Sequence, residues 1–118
     1  MKLLSLLRFS ILAATALAAS DDSNARFNKY HKKSLTTSPL KLDDVSFEEL
    51  TKTPRDYYVM TLLTAMPAQF GCMLCKQFQP EFDLLGKSWT NGDKKGKSRV
   101  LFGTLDFPDG KGTFQKVE

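Results

Sequence analysis

The sequence predicts an α/β domain built on a parallel sheet. Segments of strand and helix character alternate in the order strand, helix, strand, helix, strand, helix start. The two strongest strands are near-continuous apolar runs, as in parallel sheets covered on both faces. The only two cysteines form one C-x-x-C motif, set between a strand and an amphipathic helix. With 118 residues the chain holds one domain at most. Its 42% hydrophobic and 25% charged residues exclude a wholly disordered chain.

Residues 1–19 read as a secretory signal peptide: Lys2 gives a positive start, Phe9 to Leu17 is mostly apolar, and Ala16-Leu17-Ala18 has a small-x-small cleavage pattern. The run is shorter than the roughly 20 apolar residues a membrane anchor needs. No later stretch is long enough either, so no membrane span is expected within this chain. The net charge of +4 falls to +2 once Lys2 and Arg8 are removed, leaving 15 Lys and Arg against 13 Asp and Glu. So small an excess gives no case for nucleic acid or membrane binding.

Residues 20–35 are polar and read as a lead-in, either flexible or a loose first helix. Arg26, Lys29, Lys32 and Lys33 read as a solvated basic face. His31, the only histidine, has no second histidine to share a metal and reads as exposed and non-functional. The domain proper is expected over 36–118. Leu40-Lys41-Leu42 alternates as a short first strand. Ser46-Phe47-Glu48-Glu49 has the S-x-x-E form of a capping box, which predicts a helix from about Phe47 to Lys52, stopped by Pro54. Tyr57 to Ala65 is the strongest strand and reads as the central one. Met66 to Gly71 is a loop. From Cys72 onward, Leu74, Phe78, Phe82, Leu85 and Trp89 recur at helical spacing and predict one apolar face against the sheet. Pro80 lies inside that helix and is expected to kink it. The Lys-rich loop Asn91 to Ser98 reads as solvated. Val100 to Phe107 is the next strand, Pro108-Asp109-Gly110 a turn, and Thr113 a cap for a helix beginning at Phe114.

Three chemistries compete for the cysteine pair. In a redox site, Cys72 stands at the helix N-terminus, where unpaired N–H groups and the helix dipole favour a thiolate. Cys72 is then the attacking sulfur, and Cys75, one turn inward, the resolving one. Lys76 adds positive charge nearby. A structural zinc site needs about four ligands, and one C-x-x-C with a distant lone His supplies at most three. An inert disulfide is permitted in a secretory compartment, although so short a loop constrains the unfolded chain little.

Cys72-x-x-Cys75-Lys76 with Pro80 resembles a thioredoxin-fold active-site helix. The spacer Met73-Leu74 differs from the Gly-Pro or Gly-His of ordinary thioredoxins and disulfide isomerases. With Phe78-x-Pro80-Glu81-Phe82, Ser88-Trp89, Leu105-Asp106-Phe107, Gly110 and Phe114-Gln115, it is similar to the lumenal domain of the thioredoxin-like (third/sixth) subunit family of the eukaryotic oligosaccharyltransferase complex. The resemblance covers about residues 36–118. It implies an α/β, thioredoxin-like fold, incomplete at the C-terminus, because the family continues with a cis-proline strand, a hairpin, a helix and four membrane helices. It implies an accessory role in N-glycosylation, with Cys72 and Cys75 holding cysteine-containing nascent polypeptides through transient mixed disulfides while another subunit transfers the glycan. Oxidoreductase activity is expected to be weak, since Tyr57 to Ala65 carries no carboxylate behind the second cysteine. No cofactor and no metal are implied. The implied partners are other subunits of the complex, and the place is the endoplasmic reticulum lumen, at the membrane through the complex or through further C-terminal helices. The alternative is a soluble secretory thiol-disulfide oxidoreductase of the isomerase type.

Overall fold

A computed structural model describes residues 21–117. The expected signal peptide, 1–19, lies outside them. Residues 21–34 form helix α1. Its buried positions, Ser23, Phe27, Tyr30 and Ser34, have the spacing of one helical face. Only two of the four are apolar, which is why the stretch looks like a polar lead-in from sequence. Strand β1 (Leu40–Leu42), helix α2 (Asp44–Thr51), strand β2 (Tyr58–Thr64), helix α3 (Met73–Gly92), strand β3 (Val100–Asp106) and helix α4 (Lys111–Val117) follow. Short 3₁₀ turns occupy Ala68–Phe70 and Phe107–Asp109.

The three described strands are parallel, in the order β1-β3-β2. Mixed helix and sheet in this arrangement is compatible with an incomplete α/β thioredoxin-like fold. The central strand among the described residues is therefore β3, not β2. An unbroken apolar run cannot by itself distinguish a central strand from a peripheral one. Burial separates them here: Leu101, Phe102, Gly103 and Leu105 of β3 are buried, whereas Tyr58, Met60 and Leu63 of β2 are exposed.

Register sorts the strand residues onto two faces. Leu40, Leu42, Val59, Leu101 and Leu105 share the face packed by Phe27 and Tyr30 of α1, Leu50 of α2, and Tyr57. Phe47 and Phe114 close its edge. The opposite face carries Phe102 and Thr104 and is covered by α3 through Phe82, Trp89 and Gln79.

Capping of α2 differs from the S-x-x-E expectation. The N-cap is Asp43, whose carboxylate accepts from the Ser46 N–H at 2.8 Å, while the Ser46 hydroxyl accepts from the Asp43 N–H at 2.8 Å. Ser46 is thus the third helical residue of the box rather than its cap, because Asp is an equally strong N-cap and stands three residues earlier. Glu49 is freed to reach α1, accepting from Lys29 Nζ at 2.9 Å and from the Tyr30 hydroxyl at 2.8 Å. Lys29 and Arg26, read as solvated, therefore tie α1 to its neighbours, Arg26 donating to the carbonyls of Lys52 and Pro54.

Helix α4 begins at Lys111, earlier than expected, and Thr113 is not its cap. Asp44 of α2 takes that role from a distance: its carboxylate accepts from the Thr113 N–H and hydroxyl and from the Gly112 N–H. In the Lys-rich loop, Asp93 gathers the Lys97 and Ser98 amides and the Ser98 hydroxyl. Arg99 lays its guanidinium 4.0 Å from the Phe27 ring centre and donates to Asp56 at 2.7 Å. His31 stacks on Phe27 and its Nε2 lies 2.7 Å from the Lys94 carbonyl oxygen.

Candidate redox site

The site is made where β2 ends and α3 begins. The turn Ala68–Phe70 closes with Gly71 at φ +60°. A left-handed residue is natural for glycine and strained for most others, so this turn delivers Cys72 to the α3 N-cap. Cys72 and Cys75 are joined by a disulfide, with Cα atoms 5.3 Å apart. Each sulfur also meets one backbone N–H. Cys72 Sγ accepts from the Cys75 N–H at 3.1 Å, and Cys75 Sγ accepts from the Ala65 N–H at 3.4 Å. These donors and the helix N-terminus favour negative charge on either sulfur once the bond opens. Both cysteines are half-buried.

Cys75 faces the sheet. The residues that follow it on the same helix face are Gln79, Phe82 and Gly86, and the last two are the buried residues of α3. The expected apolar stripe forms the contact only in part, through Phe82 and Trp89. Of its members only Phe82 is buried, while Leu74, Phe78, Leu85 and Trp89 are 76%, 50%, 47% and 42% exposed. The physical reason is close approach. A Cβ on Gly86 would sit 2.8 Å from Pro39 Cγ, so glycine lets α3 press against the start of β1. Gln79 Nε2 meanwhile donates to Asp83 Oδ1 at 2.9 Å and lies 3.5 Å from Thr104 Oγ1 on β3. The expected stripe shares Phe82 and Trp89 with the packed face and otherwise runs one position away from it, at Leu74, Phe78 and Leu85 rather than Cys75, Gln79 and Gly86.

Around Cys72 the surface is apolar. Met73 and Leu74 are largely exposed, and Phe70 packs edge-on against Phe107, which packs in turn on Phe114. No group of three or more His, Cys, Asp or Glu among the described residues is arranged to hold a metal. Sequence reasoning missed Asp106 as part of the site. Its Oδ1 accepts from the Met66 N–H at 2.9 Å and the Phe107 N–H at 3.0 Å, fixing the loop that leads to Cys72. The signal was register: Asp106 is the partner of Thr64, the last residue of β2.

A family model described as "OST3 / OST6 family, transporter family" matches residues 25–118. The chain belongs to the OST3/OST6 family. Among curated relatives, dolichyl-diphosphooligosaccharide–protein glycosyltransferase subunit MAGT1 of Mus musculus is 32% identical over 79 residues, covering 66% of this chain and 23% of the relative. The Homo sapiens protein of that name gives the same identity and coverage. Dolichyl-diphosphooligosaccharide–protein glycosyltransferase subunit 3 of Saccharomyces cerevisiae is 31% identical over 109 residues, covering 86% of this chain and 30% of the relative. The chain thus spans about a quarter of the length of the OST3/OST6 relatives it matches. Among its described residues no helix is long and apolar enough to cross a membrane.

Proposed function

We propose that this OST3/OST6 chain is an accessory subunit of oligosaccharyltransferase, facing the endoplasmic reticulum lumen, that tethers client polypeptides through Cys72. Residues 1–19 direct it there as a signal peptide, and the thioredoxin-like domain over 36–118 carries the tether. A client cysteine thiolate attacks Cys72 Sγ. The Cys72–Cys75 bond breaks, and Cys75 leaves with the electron pair as a thiolate beside the Ala65 N–H. The mixed disulfide keeps nearby Asn-x-Ser/Thr sequences extended while another subunit transfers the glycan. Attack of Cys75 on Cys72 Sγ then restores the disulfide and returns the client thiolate, which takes up a proton. The cycle has no net redox change and needs no cofactor. The observation that carries this reading is the disulfide at the α3 N-cap, with one backbone N–H on each sulfur.

The test is trapping in a secretory host. In Cys75→Ser the lone Cys72 is capped by oxidised glutathione of the secretory compartment, a client thiolate displaces glutathione as its thiolate, and mixed disulfides between Cys72 and glycoprotein precursors should accumulate; Cys72→Ser should abolish them. Loss of the chain should lower glycan occupancy at acceptor sites close to cysteines. Absence of trapped precursors with Cys75→Ser sinks the tether. Sustained reduction of test disulfides by the purified chain supports the soluble oxidoreductase alternative.

A further inference from the structure

Beside the disulfide, between α3 and the strand ends, lies a cleft of about 340 Å³ whose walls include Lys41, Thr64, Gln79, Asp83, Asp106 and Asp109. Its polar groups are mostly acceptors. Thr64 Oγ1 and Gln79 Oε1 are buried and have no hydrogen-bond partner among the described residues. Thr64 itself is only 2% exposed. The Gln79 amide is held in this orientation, because its nitrogen donates to Asp83 Oδ1 at 2.9 Å. Asp106 Oδ1 is taken by the Met66 and Phe107 N–H groups, and its second oxygen has no partner among the described residues. Asp109, on the turn after β3, adds a third carboxylate. Lys41 of β1 is the one cation on these walls, and it forms no ion pair among the described residues.

Buried acceptors without donors are rare and costly. Here they stand with an excess of carboxylates, so a fitting occupant brings positive charge and several N–H groups. A metal ion does not fit, since no three acidic, cysteine or histidine side chains among the described residues are arranged to hold one. A guanidinium does fit. It offers five N–H donors in a planar fork, is weakly hydrated for a cation, and pairs with a carboxylate through two parallel bonds.

The cleft adjoins the place where a client attaches. Ala65, whose N–H meets Cys75 Sγ, lies between Thr64 and Met66, both of which line the cleft. Gln79 is one helical turn beyond Cys75. In an extended client, alternate side chains share one face. The residue two positions from the client cysteine therefore points the same way as its sulfur.

We propose that this cleft takes the guanidinium of an arginine two residues from the client cysteine, so that the tether favours clients of the form Arg-x-Cys or Cys-x-Arg. This rests on the tethering reading above and adds a substrate class to it. The covalent step is unchanged, and the cation docks without any bond being made or broken. The guanidinium donates to the second oxygen of Asp106 and to Gln79 Oε1, with Thr64 Oγ1 as a further acceptor. Asp83 and Asp109 add negative charge, and Lys41 opposes it.

The test uses the full chain with Cys75→Ser, carrying glutathione on Cys72 as a mixed disulfide. Two peptides are compared: Arg-Ala-Cys-Ala-Arg, and the same sequence with citrulline, a neutral residue of nearly the same shape, for arginine. The peptide thiolate attacks Cys72 Sγ, glutathione leaves as its thiolate, and intact mass reads the exchange constant at equilibrium. Arginine should raise that constant about tenfold over citrulline, as charge-assisted hydrogen bonds predict. Asp106→Asn keeps an oxygen for the Met66 and Phe107 N–H groups and should bring the ratio of the two constants toward one. Lys41→Gln, at an exposed position, should raise the ratio about twofold by removing the opposing charge. Equal constants for the two peptides overturn the arginine site and leave the tether standing. An unchanged ratio in folded Asp106→Asn also overturns it, because the preference then belongs to the peptide thiol. If that variant does not fold, an unchanged ratio in Lys41→Gln has the same force. Failure of both peptides to displace glutathione instead overturns the tethering reading, and the arginine site with it.

Discussion

The two faces of the sheet are built differently. Toward α1, α2 and α4, eight buried side chains form one core, and every helix is tied to another element by a charged or hydroxyl group. Toward α3, a single helix lies across the sheet, touching it with Phe82, Gly86, Gln79 and Trp89, while Tyr58, Met60, Phe78 and Leu85 stay exposed. The disulfide sits at the N-terminal end of that second, open face. Hydrophobic burial and polar satisfaction hold the first face. The second keeps the Cys72–Cys75 disulfide half-buried, within reach of solvent. The packed core and the disulfide thus lie on opposite sides of the three described strands.

Breaking the closed face should have the largest effect. Leu50 is fully buried in the middle of its core, so Leu50→Ala should cost about 2–5 kcal/mol, read as a fall in urea midpoint. Tyr57→Phe comes next. The Tyr57 hydroxyl donates to the Leu50 carbonyl, and removing it strands a buried acceptor, a loss of about 1–3 kcal/mol in the same assay.

Acid should sharpen the contrast, because carboxylates that tie the closed face are depressed. Asp44 is held below the usual range by the Thr113 hydroxyl and then its N–H. Asp56 is held there by the Ser23 hydroxyl and then Arg99, and Glu49 by Lys29 and then Tyr30. Groups with depressed folded values bind more protons when unfolded, so stability rises with pH across the interval between the two values. Their contribution is complete above about pH 5 and is lost as pH falls through about 4 and below. Melting temperature followed from neutral pH downward should fall in that window. The decline should be shallower in Asp44→Asn, which starts less stable and has one such group fewer.

The smallest effect belongs to the open face. Leu84 is 67% exposed, and Leu84→Ala should shift stability by less than about 0.5 kcal/mol. A loss comparable with that of Leu50→Ala would show that the α3 face is buried in the folded protein, and the comparison of the two faces would fail.

What was legible in the sequence was local. The run Leu40-Lys41-Leu42 marked β1, the apolar runs marked β2 and β3, and a helix began at the C-x-x-C as helical spacing indicated. Alternation of these elements was enough for a parallel α/β sheet, since a right-handed crossover needs little else. The resemblance in spacing and spacer identified the OST3/OST6 family before any contact was known. Tertiary structure decided the rest because the deciding contacts join distant residues. Asp44 reaches Thr113 across 69 positions, and Asp106 reaches Met66 across 40. Which stripe of α3 faces the sheet was set by the approach of Pro39 to Gly86, and which strand is central by pairing rather than composition. Periodicity records how apolar a face is, whereas packing selects the face whose shape allows two backbones to meet. The cysteine pair was visible in the sequence, but the Asp106 carboxylate that holds the Met66 amide, in the loop before it, was brought there only when the ends of β2 and β3 came into register.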